Sequence, residues 1–257
     1  MKKYNSLFVI ILFVVAVFMR VFYESSEKIA LLILSVASFF ALAVLSGVNL
    51  LKIKNPAPVF VFNNNSCQRI TAGALVISTL ADFVCCCVNL YRYISVASYN
   101  IALGSALILM RGIFALASSV CFVFISLSYS RNTEYDFRKL GVLNLAPLVW
   151  SISEGFLLLL GFEQSFDFDS VVFYITVLLS MICLLFFCAE IEKKDGSFVA
   201  SIVIFRLFGY ASIYNFVSAV CSKDIFNERF VFSAILLILG VFMICLSDDV
   251  VRRTQSN

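Results

Sequence analysis

Apolar residues run along this chain in blocks of about 17–30, separated by short polar stretches. A helix rising about 1.5 Å per residue needs roughly 20 residues to cross about 30 Å of hydrocarbon, and the blocks match that length. The pattern predicts eight spanning helices over residues 7–23, 29–51, 70–90, 100–129, 140–161, 170–189, 197–220 and 230–247. Period-two alternation is absent, which excludes a transmembrane β-barrel. No polar stretch exceeds about twenty residues, far below the size of a soluble domain. Residues 1–257 are therefore expected to form a single integral membrane domain of the all-α class, a polytopic transmembrane helical bundle. The span over 100–129 is too long to cross upright and must tilt, kink or project from the membrane. The first span follows Met1-Lys2-Lys3 as a signal peptide would, but Arg20, Phe22 and Tyr23 stand where a cleavage site needs small residues. Were it cleaved, seven spans would remain.

Composition reinforces this picture: 62% of residues are hydrophobic and 14% charged, against roughly 45–50% and about 25% in soluble domains. The placement of charge then sets an orientation. Lys2, Lys3, Lys52, Lys54, Arg69, Arg131, Arg138, Lys139, Lys193, Lys194, Arg252 and Arg253 flank the spans on one side; Lys28, Arg92, Lys223 and Arg229 flank them on the other. The positive-inside rule makes the richer side cytoplasmic, with both termini there, and the expected location is the cell membrane, inner or plasma. The net charge of +3 is thus a matter of topology and implies no nucleic-acid partner. The lipid bilayer is the expected partner, and a second copy or another membrane protein remains open.

The chain contains no histidine. That removes Ser-His dyads, histidine-ligated haem and metals, and His-based proton relays. No cofactor or metal is expected, and no catalytic residue can be assigned. Cys85-Cys86-Cys87 looks like a metal site, but consecutive helical residues point about 100° apart and cannot converge on one ion. Asn55-Pro56-Ala57 matches the tripeptide of water channels, which need two copies meeting at mid-membrane; here it is single and lies in a basic loop. Asn64-Asn65-Ser66 is a glycosylation sequon on the expected cytoplasmic side, where it would stay unmodified.

Five charges fall inside the predicted spans: Arg20, Asp82, Arg111, Glu154 and Arg206. Each costs about 2.5–3.5 kcal/mol at the bilayer centre unless it meets protein or water. Arg20, near a span end, can snorkel to the surface. Thr71, Ser78, Asp82 and Asn89 return to one helical face, as do Asn144, Pro147, Ser151 and Glu154. Gly104, Arg111, Ala115 and Ser118 form a small-residue face, and Arg206 shares a face with Gly209 and Tyr210. Four helices thus carry polar faces that must meet one another. One reading makes Asp82, Asn89, Arg111, Glu154, Arg206 and Tyr210 the lining of a site that binds, senses or transports a small polar or charged molecule. The other makes the charges helix-registering ion pairs in a structural or accessory subunit, with Asp82 on Arg111 or Arg206 and Glu154 on Arg20 or Arg111.

Two short segments also resemble an eight-span family typified by lysoplasmalogenases. Ser78-Thr79-Leu80-Ala81-Asp82 is similar to its acidic mid-span motif, and Leu239-Gly240-Val241-Phe242 leading to Ser247-Asp248 to its second acidic motif. The resemblance implies an intramembrane hydrolase of vinyl-ether lysolipids with Asp82 and Asp248 as its acidic residues. The second motif departs from the family in lacking a following span.

Overall fold

A computed structural model describes residues 2–26, 29–51, 53, 56–61, 66–96, 102–131, 137–160, 168–193, 196–221 and 228–256. The sequon's Asn64 and Asn65 lie outside these residues, as does Asn55 of the water-channel tripeptide. The described chain is helical, without strands: α1 (Lys2–Ser26), α2 (Ile29–Leu50), α3 (Ser66–Val96), α4 (Ala102–Arg131), α5 (Ala146–Leu160), α6 (Phe168–Glu192), α7 (Val199–Cys221) and α8 (Glu228–Ser256). A short 3-10 segment, Phe137–Leu145, precedes α5. Among the described residues, seven helices are long and apolar enough to cross a membrane, and α1 carries a shorter apolar stretch, Ile11–Tyr23. The protein is a multi-pass membrane protein of the all-α class, a helical bundle in which large apolar side chains such as Ile77, Tyr91, Leu159 and Ile33 face outward. Outward-facing apolar surface of this extent belongs in lipid.

The predicted spans match the observed helices, 29–51 and 197–220 overrunning theirs by one and two residues and 100–129 beginning just outside the described residues, with two informative differences. Helices α3 and α8 continue to Val96 and Ser256, beyond the predicted ends at 90 and 247. Hydrophobic blocks measure the thickness of hydrocarbon, whereas a helix continues through polar residues as long as its backbone bonds are made. Asp169 in the first turn of α6, and Arg131 and Arg253 in the last turns of α4 and α8, carry the charge signs that suit those helix ends.

The other difference is at 140–161, predicted as one helix. The α-helix proper has 15 residues, about 22 Å at 1.5 Å per residue. The preceding 3-10 segment is broken at Gly141, whose φ of 51° is open to glycine at little cost. Pro147 consequently stands in the first turn of α5, where its missing N–H leaves no bond unmade, and it does not interrupt a longer span.

The chain forms two compact units. The first comprises Met1–Ala57 and Ser197–Asn257, and the second Pro58–Gly196. In the first, α7 lies against α8, and α1 against α2, with both α1 and α2 touching α7. Gly209 and Gly240 make the α7–α8 approach close. A Cβ on Gly209 would stand 2.8 Å from the Gly240 carbonyl oxygen, and one on Gly240 would stand 2.8 Å from Ser212 Cβ and overlap its hydroxyl. Small residues at such crossings gain packing that lipid cannot supply. Within this unit, Ser35 Oγ donates to Ala16 O at 2.7 Å and lies 2.8 Å from the Tyr214 hydroxyl, joining α1, α2 and α7. At one end, Ala57 N donates to Thr254 Oγ1 (2.9 Å) and Ser197 N to Pro56 O (3.1 Å), fastening the two connecting segments to α8 and to each other.

The second unit packs α3 on α4, α4 on α5 and α5 on α6, with the 3-10 segment against α4, α5 and α6. Its core includes Leu75, Ala115, Phe122, Ile125, Trp150, Val177, Leu184 and Phe187. Many of its buried hydroxyls turn back on their own helix: Thr79 to Leu75 O, Ser118 to Phe114 O, Ser153 to Val149 O and Thr176 to Val172 O. Such back-bonding satisfies a serine or threonine in an apolar setting without any neighbouring polar group.

Candidate functional site

In the second unit three of the predicted charges converge. Arg111 Nη2 donates to Asp82 Oδ1 at 2.5 Å and Nε to Asp82 Oδ2 at 3.2 Å, a two-pronged pairing that suits the planar guanidinium. Arg111 Nη1 lies 2.6 Å from Glu154 Oε2. Trp150 Nε1 donates to Asp82 Oδ2 at 2.8 Å, bracing the carboxylate from α5. All four side chains are withdrawn from the surface: Asp82 and Trp150 are 0% exposed, Glu154 5% and Arg111 6%. A cation and two anions so placed stabilise one another strongly, because little water screens them.

The local sequence explains the convergence. Asp82 lies one turn from the buried Ser78 and Cys86 on the inner face of α3. Gly112 lets α3 and α4 approach beside Arg111, since a Cβ there would stand 3.1 Å from Cys86 Cβ. On α5, Trp150 and Glu154 are four residues apart and so point the same way. Ser151, beside them, meets Ser180 of α6 at 2.5 Å, and Ser180 also donates to Val177 O. The residues of the predicted α5 stripe, Asn144, Pro147, Ser151 and Glu154, are all buried. The 3-10 segment is tied to α6 where Cys188 Sγ donates to Asn144 O at 3.2 Å.

Both carboxylates therefore take the same arginine. The sequence had left Asp82 open to Arg111 or Arg206, and Glu154 open to Arg20 or Arg111. Asn89, two turns beyond Asp82 on α3, is half-buried and makes none of the hydrogen bonds or ion pairs just described. Arg206 and Tyr210 belong to the first unit. There Arg206 Nη2 pairs with Asp248 of α8, which is 46% exposed at its side chain, and the Tyr210 ring packs 5.7 Å from that of Phe13. Arg253 pairs with Asp249 one turn away at 2.9 Å. Arg20 is buried rather than snorkelling, with Nε and Nη2 3.2 and 3.1 Å from Ser218 Oγ and its guanidinium over the Tyr23 ring.

Trp150 escaped the sequence reading. It is the single tryptophan of the chain, and its spacing from Glu154 was the available signal. A cavity of about 320 Å³ lies between α5 and α6, lined by Ile152, Gly155, Phe156, Leu159, Val177 and Met181 among others. Its walls are apolar, and neither Trp150 nor Glu154 lines it. Among the described residues no group of three Cys, Asp or Glu side chains is placed to hold a metal ion.

No protein family, characterised protein or solved structure matches this chain.

Proposed function

We propose that the protein resides in the cell membrane, inner or plasma, with both termini cytoplasmic. There it binds a small charged molecule at the Arg111 hub, as a sensor or transporter. The observation that carries this reading is the way Arg111 is divided. Asp82, itself braced by Trp150, fixes Nε and Nη2, while Nη1 faces a carboxylate supplied by a short helix with a break before it. An intramembrane ionisable group at a broken helix is a functional-site hypothesis by default. The orientation rests on the twelve-to-four distribution of flanking Lys and Arg.

A second reading, that of an accessory subunit whose charges register its helices, draws support from the first unit. Arg206 and Arg20 are there engaged by Asp248 and Ser218 in contacts that join helices. Thermal melting in nanodiscs with a panel of small carboxylates, amines and amino acids separates the two. A compound that raises the melting temperature of the wild type and not of Arg111→Gln supports a binding site. Large stability losses in both Asp82→Asn and Glu154→Gln, with no compound shifting the wild type, support the accessory role and overturn the first reading.

A further inference from the structure

Resting on the binding reading, we propose that Glu154 is a built-in stand-in for the ligand. The guest is a small carboxylate that takes the place of Glu154 on Arg111 Nη1, while Glu154 leaves carrying one proton. Three observations meet here. First, the contact to be replaced is itself a carboxylate paired with a guanidinium, at 2.6 Å, so the position already holds a group of the guest's charge and chemistry. Second, the Asp82 side of Arg111 is fixed by two bonds and by Trp150, so the guanidinium stays in place when Glu154 departs. Third, Glu154 rides on α5, whose N-terminal side is a 3-10 segment broken at Gly141, a common form of hinge. Behind α5 lies the apolar groove of about 320 Å³, walled in part by the outward-facing Phe156, Leu159 and Leu178, a side on which α5 is not tightly packed. Gly155, facing that groove, already brings the backbone of α5 close to Met181.

Charge balance supplies the proton. Among the described residues, the groups facing Glu154 include Arg111 of α4, Asp82 and Cys86 of α3, Trp150 of its own helix and, from α6, the uncharged Ser180 by way of Ser151. If the guest anion arrived while Glu154 stayed ionised, three carboxylates would share one guanidinium in a buried setting, at a high desolvation cost. Protonating the outgoing Glu154 leaves the charge of the site unchanged: one anion and one proton enter together. Binding is then proton-linked.

The test uses the full-length protein in nanodiscs, with acetate as probe and the emission of Trp150 as readout. The chain has no other tryptophan, so the signal comes from the Asp82 side of the hub. Where Glu154 must draw its proton from solution, acetate affinity is expected to weaken about tenfold per pH unit. Glu154→Gln, a neutral mimic of the departed acid, is expected to bind acetate with no pH slope, and Arg111→Gln to give no response. Should Glu154→Gln fail to fold, Leu178→Phe provides a second check. At an outward-facing position of the groove wall it adds bulk beside α5 without touching the charges or the core, and is expected to abolish the response while leaving the resting emission unchanged. A pH-independent acetate affinity in the wild type, or an undiminished slope in Glu154→Gln, overturns the inference and leaves the binding reading standing. A response to tetramethylammonium and none to acetate does the same. Silence toward acetate together with silence toward the whole compound panel removes both.

Discussion

Replacing Asp82 by Asn alters one atom and removes one charge, and its consequence can be worked out from the contacts. Asp82 accepts three hydrogen bonds: 2.5 and 3.2 Å from Arg111 and 2.8 Å from Trp150, at 0% exposure. Asn keeps one acceptor oxygen and presents an amide N–H₂ where the second oxygen stood, so at least one Arg111 bond is lost and a donor faces a donor. Breaking a buried ion pair from one side costs about 3–5 kcal/mol in soluble proteins. Side-chain bonds between membrane helices average nearer 0.6 kcal/mol, with a maximum of about 1.7 kcal/mol. Two or three such contacts, disturbed together in one network, put the loss at about 2–4 kcal/mol. Equilibrium unfolding in mixed detergent, followed by Trp150 emission, measures it directly. Emission should also shift as the indole N–H loses its charged acceptor. Arg111→Gln alone should be worse, because it leaves two carboxylates without their shared cation. The double variant with Asp82→Asn should then recover part of that loss, a coupling of about 0.5–3 kcal/mol. A single-variant loss below about 0.5 kcal/mol, or strict additivity in the double variant, would refute the hub as a load-carrying ion network.

Other expectations follow from the same contacts. Gly240→Ala should cost about 1–3 kcal/mol by forcing α8 off Ser212 and Gly209, and Ser212→Ala should relieve part of it; thermal melts of the three variants decide. The Arg206–Asp248 pair, half open at its acidic end, should show a coupling of at most about 1 kcal/mol in a double-variant cycle, weakening further in salt. Fusion of a reporter that is active only in the cytoplasm after Asn257 should be active, and fusion of one active only outside should be silent. The reverse result overturns the proposed orientation.

Much of this architecture was legible in the order of residues. Apolar blocks of bilayer length placed the helices, since a chain with this little charge has few other ways to satisfy its backbone in lipid. Helical spacing also placed Ser151 and Glu154 on one face of α5, and Ala115, Ser118 and Arg111 on one face of α4, all of them buried in the fold. Helix ends were less legible at α3 and α8, because polar residues such as Arg92 or Asp249 end a hydrophobic block without ending a helix. The break before α5 was equally hidden: Gly141 and Pro147 punctuate the segment, but a 3-10 turn and an α-turn carry similar residues.

The sequence by itself thus determined the number and rough extent of the helices, and which of their faces are polar. These are one-dimensional properties, set by the length of apolar runs and by the 3.6-residue period of the helix. Only the tertiary structure decided the partners. Asp82 and Glu154 could each have taken another arginine on charge alone, and Trp150 carried no mark of its task. Pairing depends on which helices share a unit and on how closely they approach. Those distances are set by small residues such as Gly112, Gly209 and Gly240 acting together with every neighbour they meet. Coulomb attraction rewards any opposite charge within reach, so packing rather than sequence spacing selected Arg111 as the common partner of both carboxylates.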